Sequence, residues 1–389
     1  MSEWRKVKFL DLFALPLRNG LTKPSRVRGS GYKMINMGEL FSNGRIYDIP
    51  MELVPLNDKE KEVAKVERYD LLFARQSLVL EGAGKCSIVM DVSDLTTFES
   101  HLIRVRLDYN IANPLFYYYY FSSSLSPIRS IVSQCAQAGI KGSDLVQIIV
   151  DFPPLHIQHR IATILSSYDS LIENYQKQIK LLDESAQRLY KEWFIDLRFP
   201  DHENTKIVDG VPEGWEKKKV GNLISKVLRT KQVSANNYLN SGCIPVIDQS
   251  RNYIAGYTND IESLVEVTIP YIVFGDHTRV LKYVPFSFAK GADGTQLVMS
   301  NDLERMPQSL FYNSLIEIDL SNYSYARHFK YLKEESILVP SKDIAQRYDK
   351  VVSQYFQSIQ KNREQIRHLT EARDRLLPKL MSGEINVNR

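Results

Sequence analysis

Ten residues of this chain, Ile161, Leu165, Tyr168, Ile172, Tyr175, Ile179, Leu182, Ala186, Leu189 and Trp193, follow one another at spacings that alternate between four and three. That is a heptad seam held for more than four repeats, the pattern that winds helices into a left-handed coiled coil. Pro153 and Pro154 stop whatever precedes it, and the Phe-Pro-Asp run at 199–201 ends it. Adding 187 to each position gives a second seam: Tyr348, Val352, Tyr355, Ile359, Asn362, Ile366, Leu369, Arg373, Leu376 and Leu380. The same shift, with no gap, pairs Pro153 with Pro340, Ile157 with Ile344, Arg160 with Arg347 and Gln178 with Gln365. This is an internal repeat. Asn362 and Arg373 are polar seam positions of the kind that fix register at some cost in stability.

The simplest way to cover both seams is to pair the two helices antiparallel within one chain. A further apolar stripe (Ile164, Leu171, Tyr190, Phe194, Val351, Phe356, Leu377) lies beside the seam. A two-stranded coil does not need it, so additional protein is expected to cover it. The alternative is that each helix lies on its own globular domain.

The segments before the helices also echo each other. "EWRKVKFLDLF" (3–13) resembles "GWEKKKVGNLI" (214–224), and "YDLLFAR" (69–75) resembles "PYIVFGD" (270–276). The latter two are apolar runs ending in a polar turn and read as strands. The expected fold class is therefore α+β: two similar globular α/β domains separated by two long antiparallel helices, an intramolecular coiled coil with pseudo-twofold symmetry. The expected boundaries are a first domain at 1–152, a first helix at 153–198, a linker and second domain at 199–340, a second helix at 341–381 and a tail at 382–389. Similar scaffolds with divergent surfaces suggest two related tasks on two targets.

The loops of these domains are rich in residues that read base edges or hold phosphates. The first domain carries "RVRGSGYK" (26–33), "ARQS" (74–77), "GAGK" (82–85) and "QCAQAGIKGS" (134–143); the second carries "DQSRNY" (248–253), "GDHTR" (275–279), "KGADGT" (290–295) and "YARHFKYL" (325–332). Net charge is only +4, from 50 Lys and Arg against 46 Asp and Glu, which permits nucleic-acid binding without demanding it. Catalytic motifs fail on inspection. "LEGAGKCS" (80–87) lacks the first glycine of a phosphate-binding loop, since Val79 stands there. "DFPPL" (151–155) departs from the amino-methyltransferase motif at Phe152. Pro200-Asp201 followed by Glu216-Lys217-Lys218 has nuclease spacing, but lies across a helix end and a linker. His156 and His159 have no metal-ligating partners nearby in sequence. The three cysteines, Cys86, Cys135 and Cys243, form no framework, and no apolar run reaches ~20 residues. A non-catalytic, cytoplasmic protein with no metal, cofactor or membrane span is expected.

The repeated helical regions, "PPLHIQHRIATILSSYDSLIENYQKQIKLLDESAQRLYKEWF" and "IAQRYDKVVSQYFQSIQKNREQIRHLTEARDRLLPKLMSGEI", together with "VPEGWEKKKVGNL", resemble those of the specificity subunits of type I restriction–modification systems. The resemblance implies that each domain reads one half of a bipartite double-stranded DNA target. The helix pair would set their separation, with half-sites about one duplex turn apart. Methyltransferase subunits would pack on the coil and flip and methylate an adenine in each half-site, and motor–nuclease subunits would join for cleavage. On that reading the DNA contacts are Arg75, Gln76, Lys85, Gln137 and Lys141 in the first domain. In the second they are Arg251, His277, Thr278, Arg279, Arg327, His328 and Lys330. Gln76 and Arg279 are the candidates for base reading, and the lysines for phosphate. The competing readings are a coiled-coil adaptor with two protein-recognition domains, and a stand-alone nuclease or methyltransferase.

Overall fold

A computed structural model describes residues 4–92, 94–134, 138–227, 230–323 and 327–387. The chain divides into two compact units, residues 1–173 with 367–389, and residues 174–366. Both long helices, Leu155–Tyr190 and Lys342–Met381, contribute to both units. A π-helical turn at Lys191–Ile195 follows the first, after which Leu197 and Asp201 turn the chain at positive φ.

The first unit is built on a five-stranded sheet in the order Phe13–Asn19, Leu102–Leu107, Leu71–Ala74, Cys86–Val89, Arg45–Ile46. The central strand, Leu71–Ala74, is buried along its whole length, which explains its unbroken apolar run. The aromatic helix Pro114–Ser122 contributes Phe116, Tyr117, Tyr120 and Phe121 to the core beside Phe9 and Phe73. Arg5–Lys8 pairs antiparallel with Ile149–Phe152, the strand that leads into the first long helix. The second unit repeats these devices. Tyr271–Gly275 is the central strand of a three-stranded sheet, Gln308–Ile316 is the packed helix, and Glu216–Lys219 pairs antiparallel with Ser336–Val339 before the second long helix.

The two long helices pack against each other in antiparallel sense. In the first unit, Ile157, Ile161 and Leu165 share a core with Leu376, Leu380 and Met381. In the second, the Tyr348 hydroxyl donates to the Ala186 carbonyl at 3.3 Å and accepts from Asn313 at 2.9 Å. Every seam residue, including Tyr168, Ile172, Ile179, Leu182, Leu189, Trp193, Tyr355, Ile359, Ile366 and Leu369, is buried or half-buried. The polar seam positions find partners. Asn362 donates to Gln178 at 3.2 Å, and Arg373 pairs with the buried Asp169 at 2.6 Å, whose other oxygen accepts from the Tyr119 hydroxyl at 2.6 Å.

The extra stripe differs from expectation in one respect. Tyr190, Phe194 and Phe356 are covered by this chain itself, packed among Trp215, Tyr283, Tyr312 and Tyr348. The reason is that the helices both pair and serve as the floor of the globular cores. Ile164, Leu171 and Val351 are the stripe residues that remain exposed.

Removing Arg373 would leave the Asp169 carboxylate buried with one neutral partner. We expect Arg373→Ala to destabilise the first unit by roughly 2 kcal/mol, below the ~3–5 of fully buried pairs because the guanidinium is partly exposed. Urea unfolding followed by hydrogen exchange should show the loss in residues 4–173 and not in the 271–298 strands.

Candidate nucleic-acid interface

In the second unit, one short polar side chain gathers three loops. Gln249 accepts from the His277 backbone amide at 3.1 Å through Oε1, and donates to the Asp293 carbonyl at 3.0 Å through Nε2. Its own carbonyl accepts from the Thr278 hydroxyl at 2.6 Å. The 248–253 loop, the 275–279 turn and the 291–295 turn are thereby clamped into one surface. Close approach is needed here: a Cβ on Gly275 would lie 2.2 Å from Thr278 Oγ1, and one on Gly294, at φ 71°, would lie 2.7 Å from Gln249 Nε2.

Asp276 ties a fourth element to the same place. Its buried carboxylate accepts from the Phe329 amide at 2.8 Å, inside the first turn of the helix His328–Glu334, and its carbonyl accepts from the His328 amide at 3.0 Å. The His328 ring is buried, with Nδ1 2.8 Å from the Asp276 carbonyl and Nε2 2.9 Å from the Tyr323 carbonyl. It holds the turn to the helix and does not face solvent. Arg279 sits at φ 61° and donates to the Leu320 carbonyl at 3.1 Å, with its side chain otherwise at the surface. Arg251, His277, Thr278, Arg327 and Lys330 are all exposed. The seven residues singled out in this domain therefore belong to loops joined by Gln249 and Asp276. Neither of these two was singled out from the sequence, because their partners are backbone groups 28 to 53 residues away. No local spacing reports such contacts.

The first unit brings fewer of its candidates together. Gln76–Ser77 pairs antiparallel with Ala138–Gly139, and the Arg75 carbonyl accepts from the Ile140 amide at 2.9 Å. This places half-buried Arg75 and Gln76 beside the strand that leads to exposed Lys141. Lys85 is turned inward: its amine donates to the Phe41 carbonyl at 2.8 Å and lies 5.2 Å from the Phe41 ring centre, and burial lowers its pKa. Gln137 lies outside the described residues. After Lys85 the chain enters the strand Cys86–Val89 and not a helix, so "GAGK" lacks the helix N-terminus of a phosphate loop. Asp201 pairs with Arg347 and Glu216 with Arg305 and Lys218, so the nuclease-like spacing does not bring the two carboxylates to one ion. Among the described residues no helix is long and apolar enough to cross a membrane.

Two similar mixed α/β units, each floored by the same antiparallel helix pair, define a duplicated α+β protein. Residues 1–183 match the family described as the Type I restriction modification DNA specificity domain. The chain is 26% identical over 321 residues to the type I restriction enzyme MjaIX specificity subunit of Methanocaldococcus jannaschii, covering 75% of this chain and 73% of that one. It is 24% identical to the putative type I restriction enzyme MjaX specificity subunit of the same organism, covering 99% and 94%. The crystal structure of the type I restriction–modification S subunit from M. genitalium matches 97% of this chain and 96% of its own at a TM-score of 0.60 and 17% identity, which is a likeness of fold. These matches make the chain similar, over nearly its whole length, to specificity subunits of type I restriction–modification systems.

The carboxylate of Asp276 caps the 328–334 helix from a neighbouring turn. We expect Asp276→Ala to cost about 1–2 kcal/mol. Hydrogen exchange at the Phe329 amide should accelerate while the 336–339 strand stays protected.

Proposed function

We propose that this chain recognises a bipartite double-stranded DNA target and directs the methyltransferase and restriction subunits of a type I restriction–modification complex to it. The first domain, 1–152, reads one half-site and the second, within 199–340, reads the other. The paired helices act as the spacer. The chain supplies no bond-making chemistry; an adenine is methylated and DNA is cut by the partner subunits, in the cytoplasm. Ile164, Leu171 and Val351, exposed beside the seam, are the part of the stripe left for the methyltransferase subunits.

The observation that carries this reading is the clamped loop surface of the second unit. Arg251, His277, Thr278, Arg279, Arg327 and Lys330 are exposed on it, mounted on loops fixed by side-chain-to-backbone hydrogen bonds. Rigid mounting of Arg and His donors suits groove reading, because the donor pattern of a base pair is matched only when the donors are already in place. Arg279 is assigned to a base edge and Lys330 to a phosphate. His328 is assigned to support of the turn, since both ring nitrogens are engaged.

Sequencing of methylated adenines in a host that expresses the chain with its methyltransferase subunit tests the proposal. A split motif is expected, with one half changing when residues before Pro153 are exchanged for those of a relative, and the other changing on exchange of residues after Glu213. A continuous motif, or methylation that does not depend on this chain, would favour the adaptor or enzyme readings. In direct binding, Arg279→Ala should cost ~1–3 kcal/mol and relax one position of one half-site. Lys330→Ala should weaken all sequences alike and reduce the slope of log affinity against log salt by about one. Identical behaviour of the two variants would reject this sorting.

A further inference from the structure

The 248–253 loop rests on a charge that never reaches the surface. Lys282, in the strand Leu281–Val284, has only 3% of its side chain exposed. Its amine donates to the carbonyls of Asp248, at 2.8 Å, and Asn252, and lies 3.7 Å from the Asp248 carboxylate. It therefore holds both ends of the turn that presents Arg251. The same Asp248 carboxylate accepts from the Ser250 amide at 2.9 Å and from the Tyr238 hydroxyl at 3.4 Å. On the far side, the Tyr253 hydroxyl donates to the Tyr283 carbonyl at 2.6 Å, and the Arg363 guanidinium, on the second long helix, lies 3.5 Å from the Tyr253 ring centre.

A buried lysine is costly. Burial pulls this amine down to about 8 even though Asp248 acts in the opposite sense. A fold has no stability reason to keep such a group where a methionine of similar length would pack. What the ammonium supplies that methionine cannot is directed N–H donors to two carbonyls of one loop and a positive charge beside its carboxylate. The two carbonyls are those of Asp248 and Asn252, four residues apart in the loop, so the cation fixes the path of the loop and not merely its attachment.

We propose that Lys282 is a specificity-positioning residue: without touching DNA, it fixes the 248–253 loop, and with it Arg251 and Gln249, in the conformation that discriminates bases of the second half-site. Gln249 carries the effect further, because the 275–279 turn with Arg279 is hung on its side chain. This inference rests on the DNA-reading function proposed above.

The test uses the full chain with its methyltransferase partner and a duplex library carrying a randomised stretch of about two helical turns. Base preferences are measured for both half-sites with the wild type, Lys282→Met and the milder Lys282→Gln. The wild type is expected to select a split site. Lys282→Met should flatten preference in the second half-site by about tenfold, the scale of one lost bidentate contact. Preference in the first half-site should stay unchanged, which also reports that the rest of the chain is folded. Lys282→Gln, which keeps two donors, should fall between. The salt slope should not change in either variant, because no phosphate contact is lost. If the wild type selects no split site, the DNA-reading function fails and this inference with it. If the wild type selects one but both variants keep the second half-site preference, or weaken both halves by the same factor, the positioning role alone is overturned.

Discussion

The apolar seam between the two long helices is the contact without which neither globular core closes. Ile157, Ile161 and Leu165 from one helix and Leu380 and Met381 from the other sit in the same cluster as Phe9, Phe73 and Phe116. Ala186, Tyr190, Tyr348 and Val352 sit likewise with Phe274, Leu310 and Phe311. Each helix segment thus has two apolar neighbours, its partner helix and a sheet-and-helix layer, and this accounts for a stripe wider than a two-stranded coil requires. A long helix that was only a strut would show two seam positions per heptad. The additional burial of Tyr190, Phe194 and Phe356 shows that these helices are core elements of the globular units.

The periodic part of this structure was legible in the sequence because periodicity is a local property. The alternation of four and three, the gapless shift of 187 and the breaks at Pro153 and Pro340 report the helices directly. So do the apolar runs at 71–74 and 271–275, whose buried strands have no polar alternation to interrupt. Pattern alone left open whether the helices pair or lie on their domains. Both occur, since the wide stripe is shared between the two kinds of contact.

The loop surface was legible only as composition. Residue type indicated Arg251, His277 and Arg279, yet it could not separate them from His328, whose ring is spent on two carbonyls. Nor could it separate Lys330, which is exposed, from Lys85, whose amine is folded onto Phe41. The difference lies in acceptors supplied by distant backbone. Gln249, Asp276 and Lys282 each bond to main-chain atoms 28 or more residues away, and main-chain atoms carry no residue-type signal.

Those three polar groups, Asp276 and Lys282 buried and Gln249 half-buried, also explain how one scaffold can support different loop surfaces. The strands beneath the loops are held by ladder hydrogen bonds and apolar packing, which are indifferent to what the loops contain. Loop geometry is instead set by a handful of side-chain-to-backbone bonds, and where these are shielded from water, as at Asp276 and Lys282, an unmade one leaves a desolvated polar atom. Exchanging Gln249, Asp276 or Lys282 would redirect a loop without disturbing the sheet. Exchanging Arg251 or Arg279 would alter what the loop offers without redirecting it. Variation of surface and variation of support are thus separable in this fold. The repeated helices can stay constant while the loops of each unit diverge.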